Sequence, residues 1–127
     1  MTFRPSSLIL YVDDVNASTA FYKAILDSDP VQTFKDFSVF ALTADFVVGL
    51  QSKHTIDPKP QSAFGGFEIS MSYATNAEVD ELYRDWKAKG IVMALEPTTL
   101  DFGYTFVATD PDGHRLRVCA TDTTNVA

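Results

Sequence analysis

Residues 7–26 read SLILYVDDVNASTAFYKAIL, and residues 67–86 read FEISMSYATNAEVDELYRDW. Each opens on a short β-rich apolar stretch and passes through helix-start chemistry into a segment with helical spacing. In the first, Ser7 to Val12 predicts a strand and Asn16 offers an N-cap. Ala20, Phe21, Ala24 and Ile25 then share one face of a helix over Ala17 to Leu26, ended by Asp27-Ser28-Asp29-Pro30. In the second, Phe67 to Tyr73 predicts a strand, and Thr75 with Glu78 forms a capping box. Val79, Leu82, Tyr83 and Trp86 make the apolar stripe of a helix that Gly90 terminates. The two segments align at an offset of 61 residues: Leu8 with Ile69, Leu10 with Met71, Phe21 with Leu82, Tyr22 with Tyr83. Identity is sparse; the order of patterns is what repeats.

The same order continues beyond each helix. Strand candidates follow the first at Val31–Lys35, Ser38–Leu42 and Phe46–Gln51, and the second at Ile91–Glu96, Tyr104–Thr109 and His114–Ala120. Asp110-Pro111-Asp112-Gly113 is a strong turn signal between the last two. Lys53 to Gly66, with His54, Pro58, Pro60, Gly65 and Gly66, reads as a linker. The expected architecture is α+β. Two tandem βαβββ repeats (about 5–52 and 67–121, joined by a linker over 53–66) form one domain across residues 1–127. Curved mixed sheets would carry the helices on their outside.

With 127 residues the chain buries one real core. Ten Lys and Arg against seventeen Asp and Glu give a net charge of −7. That balance disfavours nucleic acid and anionic membrane surfaces as partners. The lone Cys119 excludes an intrachain disulfide and a cysteine zinc cluster, and it predicts a reducing, cytoplasmic setting. The N-terminus lacks the apolar run of a signal peptide, and no stretch approaches the roughly 20 apolar residues of a membrane span.

Alternation along the strands sorts side chains onto two faces. Leu8, Leu10 and Val12 oppose Ser7, Ile9 and Tyr11. Phe67, Ile69, Met71 and Tyr73 oppose Glu68, Ser70 and Ser72, and Leu116 and Val118 oppose Arg115, Arg117 and Cys119. The greasy faces are expected to meet the helices. The other faces either meet solvent or line a cavity, and their mixture of aromatic, apolar and a few polar groups is typical of a small-molecule pocket. Phe37, Phe40, Phe46, Phe102, Tyr104 and Phe106 serve either as core or as a stacking wall for a flat ligand. Arg117 offers a planar fork for a carboxylate, with Glu68 as its intramolecular competitor. His54 and His114 read as solvated or structural. There is no Ser-His-Asp order, Walker loop or dinucleotide fingerprint.

The opening LILYVDDVNASTAFYKAIL, the closing FGYTFVATDPDGHRLRVC and the repeat together resemble the vicinal oxygen chelate superfamily. That superfamily includes glyoxalase I, bleomycin-resistance proteins and extradiol dioxygenases. The stretch EPTTLDFGYTFVATDPDGHRLRVC is most similar to a subgroup of phenazine-antibiotic resistance proteins, which bind flat aromatic compounds without metal chemistry. In the superfamily's metal enzymes, four His, Gln or Glu ligands sit on the first and last strands of the two halves. The matching positions here are Ser7, Gly49, Glu68 and Arg117. Only Glu68 is a good metal donor; Gly49 has no side chain and Arg117 is a permanent cation.

The resemblance therefore implies a metal-free protein without cofactor or catalytic residues. It would sequester a small aromatic compound in a cupped pocket between the subunits of a homodimer, with resistance as the outcome. Ser7 and Gly49 of one chain would face Glu68 and Arg117 of the other. The expected ligand-binding set is Ser7, Tyr11, Phe40, Gly49, Glu68, Ser70, Phe102, Tyr104 and Arg117. The alternative is a glyoxalase-like lyase or isomerase, or a dioxygenase, of the same superfamily.

Overall fold

The computed structural model describes residues 1–57, 60, 68–124 and 126. Phe67 and the linker residues Pro58, Gly65 and Gly66 lie outside the described residues. The chain divides into two compact units, residues 1–62 and 63–127, so the division falls inside the 53–66 segment.

The first unit runs β1 (Ser7–Val12), α1 (Val15–Leu26), β2 (Gln32–Thr33), β3 (Phe37–Thr43) and β4 (Phe46–Ser52). Its four strands form one mixed sheet in the order β1-β4-β3-β2, with β1 parallel to β4 and the other pairs antiparallel. Only Gln32 and Thr33 of the expected Val31–Lys35 strand pair with β3. The helix begins two residues earlier than its periodicity indicates. Asp14, not Asn16, is the N-cap, and its carboxylate accepts from the Ala17 N–H at 3.1 Å. Asp27 ends the helix in the left-handed region at φ 51, its N–H donating to the Lys23 carbonyl.

The buried stripe of α1 is Val15, Ser18 and Tyr22, whereas Ala20 and Ala24 are exposed. Burial gain scales with apolar area, so one Tyr ring outweighs two methyl groups. The polar members of that face are satisfied. Thr19 Oγ1 donates to the Val15 carbonyl at 2.6 Å, which leaves the Ser38 hydroxyl of β3 to donate to Thr19 Oγ1 at 2.7 Å. Leu10, Val12, Phe40, Val48 and Leu50 complete this core, none of them more than 1% exposed.

The second unit runs β5 (Glu68–Met71), α2 (Asn76–Ala88), β6 (Met93–Leu100), β7 (Gly103–Thr109) and β8 (Arg115–Thr121). The sheet order β5-β8-β7-β6 repeats that of the first unit, again with the first strand parallel to the last. The capping box forms as the sequence predicts: Glu78 N–H donates to Thr75 Oγ1 at 3.1 Å, and Thr75 N–H to Glu78 Oε1 at 2.9 Å. Val79 and Trp86 are buried on the helix stripe, and Phe106 of β7 meets Tyr83 and Trp86 edge-on with centroids 5.7 and 5.4 Å apart. Strand β6 reaches Leu100, four residues beyond the expected end, because Pro97 sits on an edge strand whose register shifts around it. Strand β5 ends at Met71, and Tyr73, expected on the helix face, is 95% exposed and joined to Ala120 by a single bridge.

Each unit is therefore a four-stranded mixed sheet with one helix on one face, an α+β architecture. None of the described helices is long and apolar enough to cross a membrane.

Candidate functional site

The helix-free face of each sheet carries the side chains that alternation turns away from α1 and α2. In the first unit β1 pairs with β4 so that Ile9 stands beside Gly49 and Tyr11 beside Gln51. Strand β3 places Val39 beside Gly49 and Phe37 beside Gln51. Ser7, Ile9 and Tyr11 are all exposed, as their shared face predicts. Gly49 is buried by its neighbours: a Cβ there would lie 2.6 Å from Phe37 Cζ and 2.8 Å from Ile9 Cδ1. The missing side chain thus makes room for an aromatic ring laid across the strand, a diagonal contact within easy reach between paired strands.

Phe40 is not on this face. It shares the α1 side with Ser38 and is 0% exposed. Phe37, half-buried three residues earlier, is the aromatic group that β3 contributes. The signal for this was present in the sequence as strand parity, since Phe37 and Phe40 differ by an odd number and cannot share a face.

In the second unit Arg117 is the centre of the helix-free face. Its guanidinium lies 5.3 Å above the centre of the Phe102 ring. Nε donates to Glu68 Oε1 at 3.0 Å, and Nη1 to Thr105 Oγ1 at 3.3 Å. Thr105 is itself fully buried and donates to the Val118 carbonyl at 2.8 Å, so its lone pairs point to the arginine. The Arg117 side chain is only 15% exposed, against 36% for Glu68. Ser70 stands beside Arg117 across the β5–β8 pair, its hydroxyl 2.9 Å from that of Ser72. Thr105 escaped the reading of the sequence because a Thr within a strand carries no distinctive pattern.

Tyr104, like Phe40, faces its helix instead. Its hydroxyl donates to Asp80 of α2 at 2.5 Å, and this bond raises the phenol above its usual range. Phe102 reaches the sheet face because Gly103 turns there at φ 131. A Cβ on Gly103 would lie 2.1 Å from the Ala120 carbonyl oxygen, so only glycine fits.

The turn before β8 sets the register of Arg115 and Arg117. Asp110, its side chain 0% exposed, accepts from the N–H groups of Asp112 at 2.9 Å and His114 at 2.8 Å. It also accepts from His114 Nδ1 at 2.7 Å. This bond raises the His114 pKa above 6.5, with partial burial opposing it. A raised folded-state pKa stabilises the fold fully below the unfolded value of about 6.5 and loses that stabilisation as pH climbs through the folded value. Urea midpoints should therefore fall from pH 6 upward in the wild type and stay flatter in His114→Asn.

The other histidine, His54, is bonded through Nε2 to Asp13 at 2.7 Å, which lowers the Asp13 pKa. The two border an open polar groove of about 330 Å³ with Asp14 and Asp36.

The four positions that match the superfamily's metal ligands do not fit a metal. The space beside Gly49 is filled by Phe37, and Arg117 holds a fixed positive charge against Glu68, the only carboxylate of the four. Among the described residues, no three His, Cys, Asp or Glu side chains are grouped to hold one.

Comparison with known proteins agrees with this architecture. The chain is 34% identical over 125 residues to the phenazine antibiotic resistance protein EhpR of Enterobacter agglomerans, covering 95% of both chains. The solution structure of protein ATC0852 from Agrobacterium tumefaciens matches with a TM-score of 0.84 and 46% identity, over 95% of this chain and 99% of that one. A glyoxalase/bleomycin resistance protein/dioxygenase from Nocardioides shares the fold at 19% identity, with a TM-score of 0.79 over 93% of this chain and 84% of that one. The sequence profile of the glyoxalase/bleomycin resistance protein/dioxygenase superfamily matches residues 4–118, and with the repeated βαβββ sheets this places the chain in that superfamily.

Proposed function

We propose that this protein is a metal-free binding protein that captures a small, flat aromatic compound, as a resistance protein of the phenazine type would. One observation carries the reading. At positions 49 and 117, where the resemblance to the superfamily's metal enzymes would put ligands, the chain has a glycine roofed by the Phe37 ring and an arginine lying over the Phe102 ring. A ring over a glycine on one sheet and a ring under a cation on the other are each suited to a π-system and unsuited to a transition metal. The similarity to EhpR supports a resistance-like binding role. Tyr11, Ser7 and Ser70 are exposed on the same two faces and belong to the proposed site. Phe40 and Tyr104 do not, because both turn to helices.

Capture needs no turnover, so stoichiometric binding is the activity to measure. Calorimetric titration of chelator-treated protein with phenazine should show saturable binding. Phe37→Ala should weaken it about 2- to 12-fold, the equivalent of about 0.5–1.5 kcal/mol for one aromatic contact. A bound transition metal whose removal abolishes binding, or turnover of the ligand, would overturn the reading in favour of an enzyme.

The proposed native species is a homodimer. Strands β1 and β5 are sheet edges within their units, and unpaired edges invite pairing with another chain. Sedimentation should give twice the chain mass of 14.0 kDa, and a concentration-independent monomer would refute the dimer.

A further inference from the structure

We propose that the captured aromatic compound carries a carboxylate, and that the Arg117 guanidinium recognises it by exchanging Glu68 for the ligand. This rests on the binding reading above and adds the ligand's chemical class. The guanidinium is held by three contacts: its carbon lies 5.3 Å over the Phe102 ring, Thr105 takes one Nη1 hydrogen, and Glu68 takes Nε. Glu68 engages through that one nitrogen only and is the more exposed partner. Among the described residues Nη2 has no protein partner. Once Glu68 yields Nε, that nitrogen and Nη2 form one side of a planar fork that a carboxylate matches in two parallel bonds.

The local charge balance points the same way. Arg115 lies two residues along β8 on the same strand face, beside Glu68 across the β5–β8 pair. It is exposed and forms no ion pair among the described residues. Two guanidinium groups against one carboxylate leave this strand face positive, in a chain whose net charge is −7. An anion is therefore drawn to this face and repelled by the molecule's surface as a whole. Phe102, its ring centre 5.3 Å from the guanidinium carbon, continues the surface on which the ligand's rings would rest.

The test is a titration of the full chain at pH 7 with phenazine, phenazine-1-carboxylate and phenazine-1-carboxamide. The carboxylate should bind about 10- to 100-fold more tightly than the other two. Arg117→Met should erase that gap, leaving the three ligands alike. Glu68→Gln, which removes the competing anion, should tighten carboxylate binding. Equal affinity for all three ligands in the wild type would overturn the carboxylate proposal while the aromatic-binding reading stands. Failure of all three to bind would overturn both. A carboxylate preference that survives Arg117→Met would remove Arg117 from the recognition. Should Arg117→Met fail to fold, Glu68→Gln decides alone: tighter carboxylate binding supports the exchange, and unchanged or weaker binding refutes it.

Discussion

Phe40→Ala should destabilise the protein by about 3–5 kcal/mol, the usual cost of truncating a buried Phe. Phe40 is 0% exposed on the α1 side of β3, among Leu10, Val48 and Leu50. Part of the loss is the transfer free energy of the ring, and part is the cavity left in a core that relaxes incompletely. The urea midpoint should fall while the m-value holds, because the surface exposed on unfolding scarcely changes. The affinity of the folded fraction for phenazine should stay at the wild-type value. Phe37→Ala should show the converse, weaker binding with a much smaller loss of stability. A Phe40→Ala protein that folds as stably as wild type but binds phenazine poorly would return Phe40 to the binding face and shift the parity of β3.

Asp110→Ala should cost a comparable amount, about 3–5 kcal/mol, as expected when one partner of a buried charged pair is removed. Its carboxylate serves three donors at once: two backbone N–H groups and the His114 ring. Alanine leaves all three without their acceptor inside a turn where Asp110 has no exposed side-chain surface. The pH dependence separates this from an ordinary packing defect. With Asp110 gone, His114 loses the bond that raises its pKa, so the fall in stability from pH 6 upward should disappear as well. Thermal or urea unfolding of Asp110→Ala at pH 6 and pH 8 checks both parts. A variant that keeps the wild-type pH slope would show that another group carries it.

Phe40 and Phe37 take their roles from the side of β3 that each occupies, and pattern alone does not assign that side. In β1 the alternation of Leu8, Leu10 and Val12 against Ser7, Ile9 and Tyr11 was unambiguous, and burial follows it. In β3 aromatic residues occur on both faces, Phe37 on one and Phe40 on the other, so aromatic content did not say which ring is core. The partner strand settles that: Phe40 stands beside Val48, on the same face as Leu8, whereas Val39 stands beside Gly49.

The sequence by itself determined the repeated βαβββ order, the capping box at Thr75, the apolar stripe of α2, the turn at residues 110–113 and the loss of metal donors at Gly49 and Arg117. Those features are local: each depends on residue type and spacing within a few turns or strand positions. Tertiary structure decided the helix face of α1, the roofing of Gly49 by Phe37, and the pairing of Arg117 with Glu68 and Thr105 over Phe102. Those contacts join residues 12 to 49 positions apart, such as Phe37 with Gly49 and Glu68 with Arg117. Their geometry follows from strand register, which is fixed by the packing of the whole sheet against its helix rather than by neighbours along the chain.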